Sequence, residues 1–253
     1  MMEFFGEGFP ATFAKKRGDG VMLQVQGINT YYGASHVLQN ISFEVKRGEA
    51  VALLGRNGMG KTTTLRSIIG LTPAKNGSIR FEGEEIRKLP PYSIAQRGVS
   101  YIPDDLRIFP DLTCEENLEI ARRVCKRSGY WTREKVEALF PMLSDRRKQK
   151  GSSFSGGEKK MLSLGRSLMM NPSLVLLDEP SEGLAPMVVR KLMETIHEIR
   201  KHGVTILLAD QNLKFCIEVC DRGYIIEKGT IVHSDGMRQI WSNEEVVSRY
   251  LAV

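Results

Sequence analysis

The sequence lacks any apolar run long enough to span a lipid bilayer. Its 253 residues are 42% hydrophobic and 26% charged, which is ordinary for a globular protein. Apolar stretches such as residues 51–54 and 174–177 fall far short of the roughly 20 residues that a membrane helix needs. We therefore expect a chain that buries a core of its own and does not cross a membrane unaided.

Cysteines paired in the manner of a metal site are also missing. Cys114, Cys125, Cys216 and Cys220 form no Cys-x-x-Cys pair. Cys216 and Cys220 would share one face of a helix, but no histidine or further cysteine completes a ligand set beside them. The pattern favours thiols packed in the core, and reduced thiols are typical of a cytosolic protein.

The first 20 residues do not follow the pattern expected of a secretory signal. Residues 1–20 carry acidic groups early and basic groups late, at residues 15–17, with no continuous apolar core. The composition predicts a disordered tail over residues 1–20. The alternative is a basic segment that touches anionic lipid or a partner protein.

The net charge of +6 leaves several kinds of partner open. Basic residues cluster at 122–127 and 146–148. Such clusters occur in proteins that bind nucleic acid or an anionic membrane surface, and also on surfaces that are simply solvated. Because no basic motif is interleaved with aromatic residues, we expect no nucleic-acid partner.

The strand signals fall into two groups. Residues 41–45 and 78–82 alternate between apolar and polar, which predicts an antiparallel sheet with one wet face. Residues 50–54, 174–177 and 204–208 are short apolar runs, as in parallel strands that are buried on both faces. The sequence thus predicts an α/β core with a separate antiparallel β subdomain.

Helical signals dominate the middle of the chain. Thr113 and Glu116 have the spacing of a capping box, so a helix should begin there. Pro186 suits the first turn of a second helix, and Gly203 suits its end. The stretch over about residues 90–160 is charged and helix-rich, and we predict an α-helical subdomain inserted into the core.

The strongest motif is GRNGMGKTT, which fits G-x-x-x-x-G-K-[ST]. It follows an apolar strand and opens a helix, so its glycines let backbone N–H groups and the helix N-terminus cradle a triphosphate, while Lys61 supplies a cation. Thr62 offers a hydroxyl to Mg²⁺. An ordinary glycine turn is the alternative. The predicted nucleotide-binding residues of this loop are Gly55, Arg56, Asn57, Gly58, Met59, Gly60, Lys61, Thr62 and Thr63.

A second acidic element should meet this loop. The apolar run at 174–177 ends in Asp178 and Glu179. Asp178 is expected to orient Mg²⁺, and Glu179 to polarise a water for in-line attack on the γ-phosphorus of ATP. The alternative is an acidic strand end on the surface.

The segment SFSGGEKKMLSLGRSL begins a helix with a serine and two glycines, a second anion-binding surface. Together these motifs closely resemble the ATP-binding-cassette (ABC) family, whose signature loop LSGGQ matches residues 154–158 here. The resemblance covers residues 21–253 and implies a RecA-like P-loop NTPase fold that binds and hydrolyses ATP with Mg²⁺. In that family two cassettes pair head to tail. The signature residues, here Ser155, Gly156, Gly157 and Glu158, then contact the γ-phosphate held by the other cassette.

The resemblance assigns further positions. Tyr32 stands where an aromatic ring stacks on adenine. Asp104 stands where a glutamine usually senses Mg²⁺ and the membrane partner, and Gln211 where a histidine usually contacts the γ-phosphate. Residues 181–186 match the loop that touches the opposite cassette. These features look most like the second ATPase subunit of branched-chain amino-acid importers and related urea or amide importers.

That subgroup implies particular partners and a location. They are a second cassette (a different chain or a second copy), two integral-membrane permeases and, indirectly, a solute-binding protein. The location is the cytoplasmic side of the cell membrane. Asp104 and Gln211 depart from the usual glutamine and histidine, from which we infer that this chain's own site is weaker than its partner's. The alternatives are an exporter ATPase for lipid or lipopolysaccharide and, further off, a soluble cassette acting on nucleic acid.

Overall fold

The computed structural model describes residues 20–125 and 127–251, which form two sheets and the helices that pack around them. The strands there are β1 (Val21–Tyr32), β2 (Ser35–Lys46), β3 (Ala50–Leu54), β4 (Asn76–Phe81), β5 (Glu84–Glu85), β6 (Val99–Ile102), β7 (Leu174–Asp178), β8 (Thr205–Asp210), β9 (Arg222–Glu227) and β10 (Thr230–Gly236). The helices are α1 (Lys61–Ile68), α2 (Pro91–Gln96), α3 (Cys114–Val124), α4 (Arg133–Leu139), α5 (Pro141–Asp145), α6 (Gly156–Leu168), α7 (Pro186–Lys201), α8 (Leu213–Val219), α9 (Met237–Ser242) and α10 (Glu244–Val246), with a 3₁₀ turn at Gly151–Ser153 and a π-helical turn at Val247–Leu251. The tail predicted over residues 1–20 lies outside the described residues, apart from Gly20.

The core is a six-stranded sheet in the order β10-β9-β3-β8-β7-β6. Neighbouring strands are parallel except for β9 and β10. In β3, Val51 and Leu53 pack into one apolar cluster, while Ala52 and Leu54 pack into another on the opposite face. The apolar runs predicted to be parallel strands are therefore confirmed, since each strand is buried on both faces.

The second sheet has four antiparallel strands in the order β2-β1-β4-β5. Along β2, Ile41, Phe43 and Val45 are buried and Ser42 is exposed, as the alternation predicts. Their side chains join the same apolar cluster as Leu53 of β3. The predicted antiparallel β subdomain thus packs its apolar face onto one side of the core sheet.

The inserted helical part starts later than the predicted boundary at about residue 90. β6 pairs in parallel with β7 and belongs to the core sheet, so the insertion begins after this strand. The local signal of β6 is weak, because Ser100 and Tyr101 interrupt its four residues. Its pairing with a strand about 75 residues away decides the structure, as long-range packing often does. α3 begins at the predicted capping box, where the side chains of Thr113 and Glu116 each accept a hydrogen bond from the other's backbone.

The four cysteines are buried, as predicted. Cys114, Cys216 and Cys220 lie in the apolar cluster on the helical side of the core sheet, and burial raises the pKa of Cys114 to about 11. Over the described ranges, no helix combines the length and the apolar character that crossing a bilayer requires.

The carboxyl ends of several parallel strands lie at one edge of the core sheet. β3, β6, β7 and β8 all run in the same direction, so the residues that follow them meet at that edge. β8 lies between β3 and β7. The sheet therefore gathers four loops around the carboxyl end of β8.

Candidate active site

The loop from β3 to α1 follows a tight path. Gly60 caps α1 with φ 113°, a left-handed value that glycine adopts without strain, and its carbonyl accepts from Thr64 N at 2.9 Å. At the other end of the loop, Gly55 lies against β9, where an added Cβ would stand 2.4 Å from the carbonyl oxygen of Ile226. This close approach holds the start of the loop against the sheet.

Two variants, Gly55→Ala and Gly58→Ala, form a matched pair that tests the close approach of Gly55 to β9. Both glycines have positive φ, 153° and 78°, but a Cβ at Gly58 meets nothing within 4 Å. We expect Gly58→Ala to lower the free energy of unfolding by about 1–2 kcal/mol, the usual cost of a left-handed residue. Gly55→Ala should cost about 1–3 kcal/mol more, because the backbone of β9 must shift. Urea unfolding measures both, and equal losses would show that the contact with Ile226 does not hold the loop.

Lys61, the first residue of α1, lies inside this loop and is only 3% exposed. Its Nζ donates to the carbonyl oxygens of Gly55 at 2.8 Å and Arg56 at 3.1 Å, and to Asn57 Oδ1 at 3.4 Å. Lys61 Nζ also lies 3.4 Å from Glu179 Oε1. The structure thus brings the predicted cation and the predicted base into contact.

Asp178, at the end of β7, joins this group through Thr62. Its Oδ1 accepts from Thr62 Oγ1 at 2.9 Å, and its Oδ2 accepts from Tyr101 OH at 2.8 Å. Burial raises the pKa of Asp178, while the hydrogen bonds from Tyr101 and Thr62 oppose that rise. Neighbouring hydroxyl and carboxylate oxygens are ligands that Mg²⁺ accepts, with phosphate and water at its remaining positions. Thr62 and Asp178 therefore fit a magnesium site.

Glu179 has a strained backbone. Its φ of 43° is uncommon for a residue other than glycine. Its N–H donates to Ala209 O at 2.7 Å, and its carbonyl accepts from Glu182 N at 3.3 Å. Burial raises the pKa of Glu179, as does hydrogen bonding with Glu182, and Lys61 opposes both. A carboxylate with a raised pKa is better suited to take a proton near neutral pH than an ordinary one.

Tyr32, at the end of β1, lies beside α1. Its side chain is 45% exposed, and its hydroxyl is 3.3 Å from Thr72 Oγ1. Burial opposes ionisation of the phenol, but hydrogen bonds with Thr72, Thr63 and Arg66 lower its pKa. The predicted adenine-binding ring is therefore exposed next to the helix that follows the phosphate loop.

Asp104 and Gln211 lie at the same sheet edge. Both are exposed, just after β6 and β8 respectively. Burial is the larger cause of the raised pKa of Asp178, and the charge of Asp104 adds to it. The structure thus brings Asp104 within electrostatic reach of the predicted magnesium ligand.

Sequence reasoning missed Tyr101 and Arg66. Tyr101 donates to Asp178, and hydrogen bonding to Tyr101 raises the pKa of Arg66, which lies on α1. Tyr101 is three residues before Asp104, so recognising β6 as a strand would have placed it at this edge.

The signature residues lie in a different groove. Ser155 caps α6: its Oγ accepts from Glu158 N at 3.4 Å, while Glu158 Oε2 accepts from Ser155 N at 2.8 Å. The first turn of α6 and residues 183–185, 187 and 188 line a groove of about 490 Å³. No residue of the loop at 55–63 lines it. Within one chain, therefore, the two predicted phosphate-binding surfaces do not form a common pocket.

Residues 38–182 match the family model described as "ABC transporter". The chain is 42% identical over 231 residues to the high-affinity branched-chain amino acid transport ATP-binding protein BraG of Pseudomonas aeruginosa, covering 91% of this chain and 99% of that protein. It is 35% identical to the lipopolysaccharide export system ATP-binding protein LptB of Haemophilus influenzae, covering 91% and 97%. It is 31% identical to the probable branched-chain amino acid transport protein LivF of Archaeoglobus fulgidus, covering 88% and 96%.

Solved structures agree with this match. The ADP conformation of MJ1267, an ATP-binding cassette of an ABC transporter, superposes with a TM-score of 0.79 at 26% identity, covering 90% of this chain and 98% of that one. Another ATP-binding subunit of an ABC transporter superposes with a TM-score of 0.77 at 30% identity, covering 91% and 96%. The fold is thus the ABC ATPase fold predicted from the motifs. The chain belongs to the ABC transporter family, as an ATP-binding subunit and an ATP hydrolase.

Proposed function

We propose that residues 55–63 bind the triphosphate of ATP, with Lys61 as its main cation. The contacts of Lys61 support this role, because they hold the ammonium within the glycine loop. The N-terminus of α1 adds the favourable end of a helix dipole. Thr62 and Asp178 hold Mg²⁺, which when bound neutralises charge on the β- and γ-phosphates.

Glu179 is the general base of this proposal. It orients a water in line with the γ-phosphorus and takes its proton, and its raised pKa suits that task. Gln211 reaches the γ-phosphate with its amide, which can donate a hydrogen bond. Tyr32 stacks on adenine, and Asp104 lies on the magnesium side.

The second phosphate-binding surface serves another cassette. Ser155, Gly156 and Gly157 contact the γ-phosphate held on the loop of a partner cassette, which is a different chain or a second copy. Supporting this, the groove at the start of α6 contains no residue of the chain's own phosphate loop. One nucleotide bound to residues 55–63 therefore needs a second molecule to complete its contacts.

We infer that the transported cargo is a branched-chain amino acid taken into the cell. The observation that carries this proposal is the 42% identity to BraG over almost the whole of both chains. In such an importer the subunit docks on two membrane permeases at the cytoplasmic side of the membrane, and a solute-binding protein delivers the cargo. ATP binding closes the pair of cassettes, and hydrolysis reopens it.

A second candidate is export of lipopolysaccharide, which the 35% identity to LptB favours. The hydrolytic chemistry would be unchanged, since membrane partners choose the cargo. The two candidates differ in the direction of transport and in the molecule moved.

Uptake of radiolabelled leucine decides between them. The full chain is reconstituted in lipid vesicles with the second cassette and the permeases that co-purify with it, together with a leucine-binding protein. We expect ATP-dependent accumulation of leucine. Vesicles that carry the Glu179→Gln variant in place of this chain test its part in transport, and vesicles without ATP give the background.

The contradicting outcome is equally specific. Intact ATP hydrolysis without leucine uptake, together with co-purification of a lipopolysaccharide-binding membrane complex, would overturn the importer proposal and favour export.

A further inference from the structure

Asp210 is a buried carboxylate at the carboxyl end of β8, between the strands that carry the phosphate loop and Asp178. It is 1% exposed. Its Oδ2 accepts from Ser181 Oγ at 2.8 Å and from Ser181 N at 3.2 Å, and its Oδ1 accepts from Asn212 N at 2.9 Å. One side chain therefore ties the loop after Glu179 to the loop that contains Gln211.

We propose that Asp210 is a positioning residue for ATP hydrolysis, which holds Glu179 and Gln211 in fixed relation to each other. Glu179 is two residues before Ser181, and its own N–H donates to Ala209, the neighbour of Asp210. The strained backbone of Glu179 is thus held on both sides by the end of β8. The proposal rests on the catalytic roles proposed above for Glu179 and Gln211, and it holds whichever cargo is transported.

Burying a carboxylate costs folding free energy, and we infer that Asp210 is kept at this point because it has a function. Burial raises the pKa of Asp210, and the hydrogen bonds from Asn212 and Ser181 oppose the rise. Lys160 of α6, also buried at 4% exposure, supplies a cationic charge, and among its attractions to nearby carboxylates that to Asp210 is the largest. Lys160 is five residues along the helix from Ser155, so Asp210 is also electrostatically connected to the helix that carries the signature.

Asp210→Asn tests the proposal in the full chain. Both carboxylate oxygens of Asp210 accept hydrogen bonds from N–H groups. In asparagine an NH₂ group takes the place of one of these oxygens, and because NH₂ is itself a donor, that hydrogen bond is lost. We expect amide hydrogen exchange at Ser181 or Asn212 to accelerate about tenfold or more. The kcat for ATP hydrolysis should fall by about 10- to 100-fold, because small misplacements of catalytic groups are costly. The Kd for ATP, measured with a fluorescent analogue, should stay nearly constant.

Two further variants make the test specific. Ser181→Ala removes one donor without changing charge; it should lower kcat less, and its effect should not add to that of Asp210→Asn. Asp235→Asn alters an exposed carboxylate on β10 and should change none of these quantities.

Three results would overturn the proposal. The first is an unchanged kcat and unchanged amide exchange in Asp210→Asn. The second is a loss of ATP binding as large as the loss of kcat, which would indicate a structural role only. If Asp210→Asn does not fold, an unaltered kcat in Ser181→Ala is the third.

Discussion

Replacing Lys61 with alanine is expected to lower ATP hydrolysis by about 100-fold or more, the scale on which losing one transition-state contact acts. The ammonium lies inside the loop, where it contacts Gly55, Arg56 and Glu179. Its removal leaves the developing charge on the γ-phosphate without its main partner. Phosphate release from the purified chain, alone and paired with its partner cassette, measures the effect.

Lys88→Ala is the matched control for this variant. Lys88 is exposed, so its removal changes net charge equally without touching the loop. We expect normal hydrolysis from this control. If Lys61→Ala hydrolysed ATP at the rate of Lys88→Ala, the assignment of the loop as the triphosphate site would be wrong.

The second large effect is expected from Glu179→Gln. Glutamine matches glutamate in the size of the side chain, but it cannot take a proton from water. We expect kcat to fall by about 100-fold or more, the range that general-base catalysis supplies. ATP binding should be retained, because Lys61, Thr62 and Asp178 are unchanged. Single-turnover hydrolysis and equilibrium ATP binding separate the two effects.

The same variant tests whether the two sites of a cassette pair are unequal. Asp104 and Gln211 replace a glutamine and a histidine that the family usually has, so this chain's own site should contribute less than its partner's. We therefore expect Glu179→Gln here to slow transport less than the matching change in the partner. Equal losses would contradict the asymmetry while leaving the role of Glu179 intact.

Local signals were sufficient to predict the strands and helix caps around the candidate site. The apolar runs that became β3 and β7 are buried on both faces, which leaves few alternatives to a parallel strand. The glycines of the loop need positive φ, and the capping residues Thr113 and Ser155 satisfy N–H groups of their own helices. Each of these requirements acts within a few residues and is therefore visible in the sequence.

The remainder depends on contacts between distant residues. β6 is weak as an isolated strand and is stabilised by pairing with β7, so Tyr101 could not be placed beside Asp178 in advance. Asp210 accepts hydrogen bonds from Ser181, which is 29 residues away. Sequence periodicity reports which face a residue occupies, but not which side chain from another strand it meets.

The position of β8 between β3 and β7 has a consequence for how tightly ATP can be held. Adjacent strands in a sheet are separated by a nearly constant spacing, so the backbones of β3 and β7 stand two spacings, about 10 Å, apart. The side chains of Thr62 and Asp178 meet across this gap at 2.9 Å. This separation is built into the backbone and does not have to be organised by the arriving nucleotide. The entropic cost of arranging the phosphate loop and Asp178 is met during folding and not during ATP binding. More of the interaction energy with ATP therefore remains for affinity.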